Sequence, residues 1–397
     1  MDFLEDDYDA INSEYFQEVR LGGPFLDPSG WLDTASDALA LLPPHQFDSS
    51  RLQSYYGDLS DHLGAPKDKL RELLETWDEC TYSMDNLTIC QSATAASLLV
   101  LAFLKSTGIR SVLFESPCYY ASLEQCHNLG MYARRIRTSE ADNYKLTINE
   151  AFLDGASPCA LWLTQPRIGL GSDQDAVHVR HMLEMLPADG FLVLDEAVEQ
   201  CFPSILRELN PSQMSRVIKI RSMLKPCGLN GIRISFVLHN EKYRKNFAQI
   251  LELYNPTIDC FSLSYAMQIA ERPLAFKAML DAARLQTSSL AKRAAALADG
   301  SHILVHQLVT GYIGSLAIDL GTRTVDDYMT KRRELLLQCR NHRLPVILGA
   351  SMHFPLDPQR EYVRLNFFNR EHHILGGVEK LMAISNLIYH DRVFHAR

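Results

Sequence analysis

Residues 217–238 read VIKIRSMLKPCGLNGIRISFVL. Val217 to Ile220 and Ile234 to Leu238 are short runs rich in β-branched and apolar side chains, bounded by polar or turn residues. Each reads as a buried strand. Between them the chain is punctuated by Pro226, Gly228 and Gly231 and carries three cations, Arg221 directly after the first run, then Lys225 and Arg233. A lysine between an apolar strand and a glycine-punctuated turn is placed to be desolvated, which lowers its pKa and makes it a nucleophile. Arg233 has the planar donor fork that grips a phosphate through two bonds.

The same strand signature recurs outward from this stretch, at Leu87 to Cys90, Val112 to Phe114, Ala160 to Leu163 and Phe191 to Leu194. Helical patterns lie between, at Thr94 to Lys105 and at Asp173 to Leu186, the second with Ser172 as its N-cap. Strand–helix alternation of this kind predicts an α/β fold with a mostly parallel, doubly wound sheet. From about residue 280 the pattern changes to a long helix, Ala282 to Ala298, then strands near His302 to Val309, Gly314 to Ala317 and Tyr362 to Phe367. This predicts a smaller α+β C-terminal domain. The opening residues hold Gly22-Gly23-Pro24, Pro28 and Pro43-Pro44 and read as an arm. The expected division is an arm over 1–45, a large domain over 46–279 and a small domain over 280–397.

Composition narrows the function. The chain has 397 residues, enough for a large domain and a smaller one. Its 47% hydrophobic and 22% charged content is that of a globular protein. A formal net charge of −9 is a poor match for a nucleic-acid backbone, which needs clustered Lys and Arg. The densest basic runs, Arg134-Arg135-Ile136-Arg137 and Lys331-Arg332-Arg333, are short and read as solvated faces. No apolar run approaches the roughly 18 residues of a membrane span, and the acidic start Met1-Asp2-Phe3-Leu4-Glu5-Asp6-Asp7 is unlike a signal peptide. The 9 cysteines include no CxxC pair and read as reduced, mostly buried thiols of a cytoplasmic protein. His178 and His181 share a helix face without further metal ligands near, so no metal is expected.

Ligands of an open α/β sheet bind in the crevice beyond the carboxyl ends of its strands, and the residues leaving each strand here are chemically coherent. Ser92, Ala93 and Thr94 open a helix after the first strand, where free amides and hydroxyls attract an anion or simply cap the helix. Tyr119 follows the next strand, placed to stack on a flat ring or to pack at the Pro117 turn. Gln165 precedes Pro166 on a turn, with Arg167 beside it. Asp195 and Glu196 end an apolar strand, where an acid needs a cation or a strong donor. Together with Lys225, Ser222 and Arg233 the set offers an amine, an acid, an anion cradle and an aromatic plate. Pyridoxal 5′-phosphate (PLP) needs such a set.

Ser222-Met223-Leu224-Lys225, continued by Gly228-Leu229-Asn230-Gly231-Ile232-Arg233, resembles the Ser-x-x-Lys and Gly-x-x-Gly-x-Arg segments of the class I/II aminotransferases, which have the fold-type I PLP-dependent transferase fold. The resemblance runs from about Tyr55 to Arg364. It implies Lys225 as the PLP lysine and proton-moving base, and Asp195 under the pyridine nitrogen. It implies Ser92, Ala93, Thr94, Ser222 and Arg233 around the phosphate, and Tyr119 stacked on the ring. Tyr56 (or Tyr55) would reach the phosphate of a neighbouring subunit, so a homodimer with interfacial sites is expected. Arg364, in Tyr362-Val363-Arg364-Leu365-Asn366, would hold the substrate α-carboxylate. The substrates implied are an amino acid and a 2-oxo acid. The family usually has Asn at Gln165 and Tyr at Val198, both donors to the cofactor's ring oxygen, and a small hydroxyl residue at Leu224. These departures keep a second function open, a PLP-dependent cyclase, lyase, decarboxylase or oxidase-like enzyme. A third is a non-catalytic ligand-binding homologue.

Overall fold

The computed structural model describes residues 40–42, 64–82, 87–136, 138, 144, 146, 158–198, 205–222, 225, 227–229, 231–254, 258–306, 311–349, 354 and 357–390. Tyr55, Tyr56, Leu224 and nearly all of the expected arm lie outside them. The chain divides into two compact units. One holds the described residues of 34–166 and 173–282, the other those of 167–172 and 283–397. The change at 282/283 falls inside a helix, three residues beyond the sequence boundary at 279/280.

The first unit contains, in order, α1 (Gly64–Asp78), β1 (Leu87–Cys90), α2 (Ala93–Ser106), β2 (Ser111–Glu115), α3 (Tyr120–Asn128), β3 (Tyr132–Ile136), β4 (Cys159–Thr164), α4 (Ala176–Met185), β5 (Phe191–Glu196), α5 (Pro211–Met214), β6 (Val217–Ser222), β7 (Ser235–Leu238), α6 (Arg244–Tyr254) and α7 (Cys260–Ala270). The strands form one seven-stranded sheet in the order β1-β7-β6-β5-β4-β2-β3. Strands β2 to β6 run parallel, while β7 is antiparallel to both β6 and β1. The α/β fold with a mostly parallel sheet expected from the sequence is therefore present.

Side chains alternate between the two faces with the strand period of two. Ile89, Leu161, Leu163, Leu192, Leu194 and Phe236 face a core shared with α1, α4 and α7. Cys90, Trp162, Phe191, Val193, Ile220 and Val237 face a second core made with α2, α3 and α6. Burial on both faces explains the apolar runs of these strands, with Lys219 and Arg221 of β6 and the acids ending β5 as exceptions. Helix α2 is apolar nearly all round for the same reason: Phe103 stacks on Phe247 of α6 at 4.4 Å and meets Phe191 edge-on at 5.6 Å.

Four sequence expectations need correction. The run Lys331-Arg332-Arg333 is not a solvated face throughout, because Arg332 is buried against Glu361. There is a seventh strand, β3, at the sheet edge, whose Tyr132, Arg134 and Arg135 are exposed. Arg134, Arg135 and Ile136 of the basic run lie on it. Helix α4 starts at Ala176, capped by Asp175, which accepts the Val177 N–H at 2.9 Å. Ser172 is not its cap; its hydroxyl instead receives Arg167 Nε at 3.1 Å. The long helix, α8, begins at Pro273 rather than Ala282 and runs to Ala298, with proline at the first helical position where a missing N–H costs nothing.

The second unit contains the C-terminal half of α8, then β8 (Ile303–Val305), β9 (Ile313–Asp319), α9 (Val325–Asn341), β10 (Arg360–Asn366) and α10 (Glu371–His390). Its antiparallel sheet, ordered β10-β9-β8, packs with the helices around Leu316, Leu335, Val363, Leu365, Ile374 and Leu381. Thr324 caps α9 through the Asp327 N–H at 3.2 Å.

Among the described residues no helix is long and apolar enough to cross a membrane, and no group of three or more His, Cys, Asp or Glu residues could hold a metal. His178 binds the Leu146 carbonyl, and His181 is exposed. Cys90, Cys118, Cys126, Cys159, Cys227 and Cys339 are buried free thiols. Burial pushes Cys90, Cys118, Cys126 and Cys339 up to about 12, leaving little thiolate at neutral pH.

Candidate active site

The sheet topology gathers residues far apart in sequence at one edge. The carboxyl ends of β1, β2, β4, β5 and β6 point the same way, and antiparallel β7 begins there. Ser92, Tyr119, Gln165 and Lys225 thus follow strands that end at this edge and Asp195 is the penultimate residue of one, whereas Arg233 precedes a strand that starts at it. The antiparallel turn of β7 is what places Arg233 beside the end of β6, where Ser222 is paired with Ser235. The chain winds outward in opposite directions from β2 and β4, so Tyr119 and Gln165 flank the switch point at which doubly wound sheets bind ligands.

Asp195 alternates along β5 with Phe191 and Val193, so it faces the side of the sheet covered by α2. Its Oδ1 accepts the Ala197 N–H at 3.1 Å. Burial pushes its carboxyl above the usual carboxylate range, against the pull of the Ala197 N–H and the Lys225 ammonium. Among the described residues no cation reaches salt-bridge distance of it. Lys225 is the mirror case: burial lowers its pKa, Arg233 adds to the lowering and Asp195 opposes it. An amine and an acid, each shifted toward neutrality, stand in one another's field.

Helix α2 packs on β1, β6 and β7. Ser92 is its N-cap, with its hydroxyl accepting the Ala95 N–H at 3.1 Å. Ala93 opens the first turn, half-buried, and Thr94 is exposed beside it. Both sequence readings of this segment are compatible with that geometry, because a capped N-terminus still presents free amides and the positive end of the dipole. Ser92→Ala is expected to remove the cap and cost about 1 kcal/mol, lowering the unfolding midpoint by about 2–4 °C. Ser92→Thr should keep most of that stability in the same thermal melt.

Ser222 is buried at the end of β6. The Arg233 N–H donates to Ser262 Oγ at 3.1 Å, and Ser262 is held in turn by Asp259, the N-cap of α7, at 2.7 Å. The Arg233 side chain is exposed. Tyr119 is the N-cap residue of α3, where its side chain makes no capping bond, and it is half-buried, its ring 5.1 Å from that of Tyr120. Gln165 is buried. Its backbone N–H donates to the Asp195 carbonyl at 2.8 Å, and its Oε1 accepts the Gln174 N–H at 2.9 Å.

Arg364 belongs to the second unit, on β10, half-buried and opposite Ser315 of β9. Its strand is fixed by Glu361, whose carboxylate accepts Arg332 Nε at 2.9 Å, the Tyr328 hydroxyl at 2.8 Å and the Tyr362 N–H at 2.9 Å. Arg167 is also in that unit, turned onto Ser172 through both its backbone N–H (2.7 Å) and its Nε (3.1 Å).

Two groups escaped the sequence reading. Glu115 and Gln174 form a buried relay to Gln165. Asp78, Glu196, Lys219 and Arg221 form a buried ion-pair quartet on the opposite face of the sheet. The only signals for the quartet were two charges inside an apolar strand, at Lys219 and Arg221, and the acid Glu196 beside Asp195.

Residues 50–314 match the family described as aminotransferase class I and II. Among curated proteins, a histidinol-phosphate aminotransferase from Sodalis glossinidius is 24% identical over 172 residues, covering 43% of this chain and 47% of that protein. The match thus spans about half the length of that relative. Among solved structures, an aspartate aminotransferase from Thermotoga maritima superposes with a TM-score of 0.70 at 13% identity, covering 95% of this chain and 96% of that one. An aromatic aminotransferase from Pyrococcus horikoshii gives a TM-score of 0.69 at 15% identity, with 94% and 99% covered. At these identities the likeness speaks for the fold.

Proposed function

Since the chain belongs to the aminotransferase class I and II family, whose members use PLP, we propose that it moves an amino group between an amino acid and a 2-oxo acid, with Lys225 as its Schiff-base lysine. The observation that carries this reading is the pair of Asp195 and Lys225 at one sheet edge. A buried carboxylate without an ion-pair partner among the described residues fits a protonated pyridine nitrogen, and a desolvated amine fits an imine with an aldehyde. The donor set around them suits the rest of the cofactor. The α2 amides from Ala93 and Thr94, with Ser92, Ser222 and Arg233, would hold a phosphate, and Tyr119 would lie against the ring. When bound, PLP supplies an electron sink for the bonds at the amino acid's α-carbon.

In this reading Asp195 keeps the ring nitrogen protonated, and Lys225, released as a free amine, takes and returns the α-proton. Its lowered pKa favours that role, since a base works best with a pKa near the operating pH. Arg364 holds the α-carboxylate in two parallel bonds. Residues 46–279 form the cofactor domain, 280–397 the small domain and 1–45 an arm. Two copies would pair, with Tyr56 of each, outside the described residues, reaching the other's phosphate, in the cytoplasm.

The test is a panel of amino donors mixed with the PLP-loaded protein. A donor that converts the cofactor to pyridoxamine phosphate and yields an equimolar 2-oxo acid is the expected result. Release of carbon dioxide, ammonia or a cyclic product, with no donor ever yielding the pyridoxamine form, would overturn transamination in favour of another PLP chemistry.

A further inference from the structure

A chain of buried hydrogen bonds runs from β2 to the edge where Asp195 and Lys225 stand. Glu115, the last residue of β2, is 2% exposed. Its Oε1 accepts the Thr164 N–H and its Oε2 accepts Gln174 Nε2, both at 2.6 Å. The Gln174 N–H then donates to Gln165 Oε1 at 2.9 Å. Gln165 is itself tied to β5 by its N–H, which donates to the Asp195 carbonyl.

The polarity of this chain has no freedom. A carboxylate only accepts, so the Gln174 side chain must turn its nitrogen to Glu115. A backbone N–H only donates, so Gln165 must turn its oxygen to Gln174. The Nε2 of Gln165 therefore points away from the relay, and among the described residues it has no hydrogen-bond partner. Gln165 as a whole keeps 7% of its surface exposed. Three residues beyond Asp195 stands Val198, which has no donor to offer.

We propose that Glu115 and Gln174 are positioning residues that lock the Gln165 carboxamide with its N–H₂ toward the active-site crevice, as the side-chain donor to the ring oxygen of the cofactor. This rests on the PLP reading above. The donor would stabilise negative charge on that oxygen most when the neighbouring Lys225 imine is unprotonated, since a protonated imine already neutralises it. Losing the donor, or letting the amide rotate, favours the protonated imine and raises its pKa.

The experiment is a pH titration of the visible imine band in the PLP-loaded protein, with Gln165→Ala, Gln174→Ala, Glu115→Gln and the double variant Gln165→Ala/Gln174→Ala. Borohydride trapping fixes the amount of cofactor on Lys225 in each. Gln165→Ala is expected to raise the midpoint by about one pH unit, the scale of one hydrogen bond to a charged group. Gln174→Ala and Glu115→Gln should each raise it in the same direction, and the double variant should titrate with Gln165→Ala alone, because the relay acts only through Gln165. A purely structural role for Glu115 would lower stability without moving the midpoint. Shifts that add in the double variant, or Gln174→Ala and Glu115→Gln titrating with the parent, overturn the proposal. If Glu115→Gln does not fold, Gln174→Ala and the double variant still distinguish the two outcomes. A parent that forms no imine band with PLP overturns the cofactor reading and this one together, whereas a yellow parent with unmoved variants overturns this one alone.

Discussion

Lys225→Ala is expected to bind PLP without the visible imine band and to lose activity by on the order of 10⁴-fold, the upper end for a positioned proton-transfer group. Two losses coincide in one side chain, the covalent anchor and the base. Lys225→Arg separates chemistry from charge. A guanidinium keeps the cation beside Asp195 but cannot deprotonate near neutral pH, so it should be as inactive as the alanine variant. The pH dependence follows from the environment. Burial lowers the Lys225 pKa, Arg233 adds to this, and Asp195 only partly opposes it. The unprotonated amine that attacks the aldehyde is therefore present at lower pH than for an exposed lysine. In stopped-flow mixing with PLP, the rate of imine formation should rise with pH and reach its midpoint below about 10.4, the ordinary lysine value. Arg233→Met removes one lowering influence and should move that midpoint up. An alanine variant that keeps the parent's band, or a midpoint at or above the ordinary value, would remove Lys225 from the site.

How much of this was legible in the sequence depends on how local each signal was. The central strands announced themselves because burial on both faces makes them continuous apolar runs, and their carboxyl ends showed where to look for polar residues. β3 did not, because an edge strand with exposed Tyr132, Arg134 and Arg135 has the composition of a surface segment. Gln174 was hidden by the start of α4. Had Ser172 been the cap, Gln174 would sit in the first turn; with Asp175 as the cap, Gln174 precedes the helix, where its backbone N–H reaches Gln165. In the sequence the adjacent acids Asp195 and Glu196 pose one question, whether a cation or a strong donor meets them. The strand answers both ways, because neighbouring residues face opposite sides of the sheet. Glu196 takes the ion pairs, and Asp195 faces the α2 side, with no ion pair among the described residues. What no local reading reaches is pairing across the chain, such as Asp78 with Lys219, 141 positions apart.

That pairing leads to the second large effect. Lys219 and Arg221 lie on β6 facing the α1 side, where Lys219 Nζ stands 2.9 Å from Asp78 Oδ2 and 2.6 Å from Glu196 Oε2. Arg221 reaches Asp78 Oδ1 and Glu196 Oε2, both at 3.3 Å. Tyr82 donates its hydroxyl to Asp78 at 2.9 Å. All four charged side chains are at most 1% exposed. The quartet clamps the end of α1 to β5 and β6, the strands that carry Asp195 and Ser222 and lead to Lys225. Removing one member strands a buried charge, which costs about 3–5 kcal/mol, a large share of the roughly 5–15 kcal/mol that holds a typical domain folded. Asp78→Ala and Glu196→Ala should each show this loss in urea unfolding at pH 7. Removing a cation and an anion together, as in Asp78→Leu/Lys219→Met, should cost less than the sum of the two single changes, because neither partner is left alone. The pH dependence has a definite sign. Burial pushes the Asp78 carboxyl up, but Arg221 and Lys219 outweigh it and hold it below its usual value. A depressed folded pKa adds stability that is present above the unfolded value, about 3.9, and is lost as pH falls through the folded one. The deficit of Asp78→Ala relative to the parent should therefore shrink as the pH is taken below about 3.9. A cost under about 1 kcal/mol at pH 7, the size of an exposed pair, or a deficit that does not narrow in acid, would mean that the quartet does not clamp these strands.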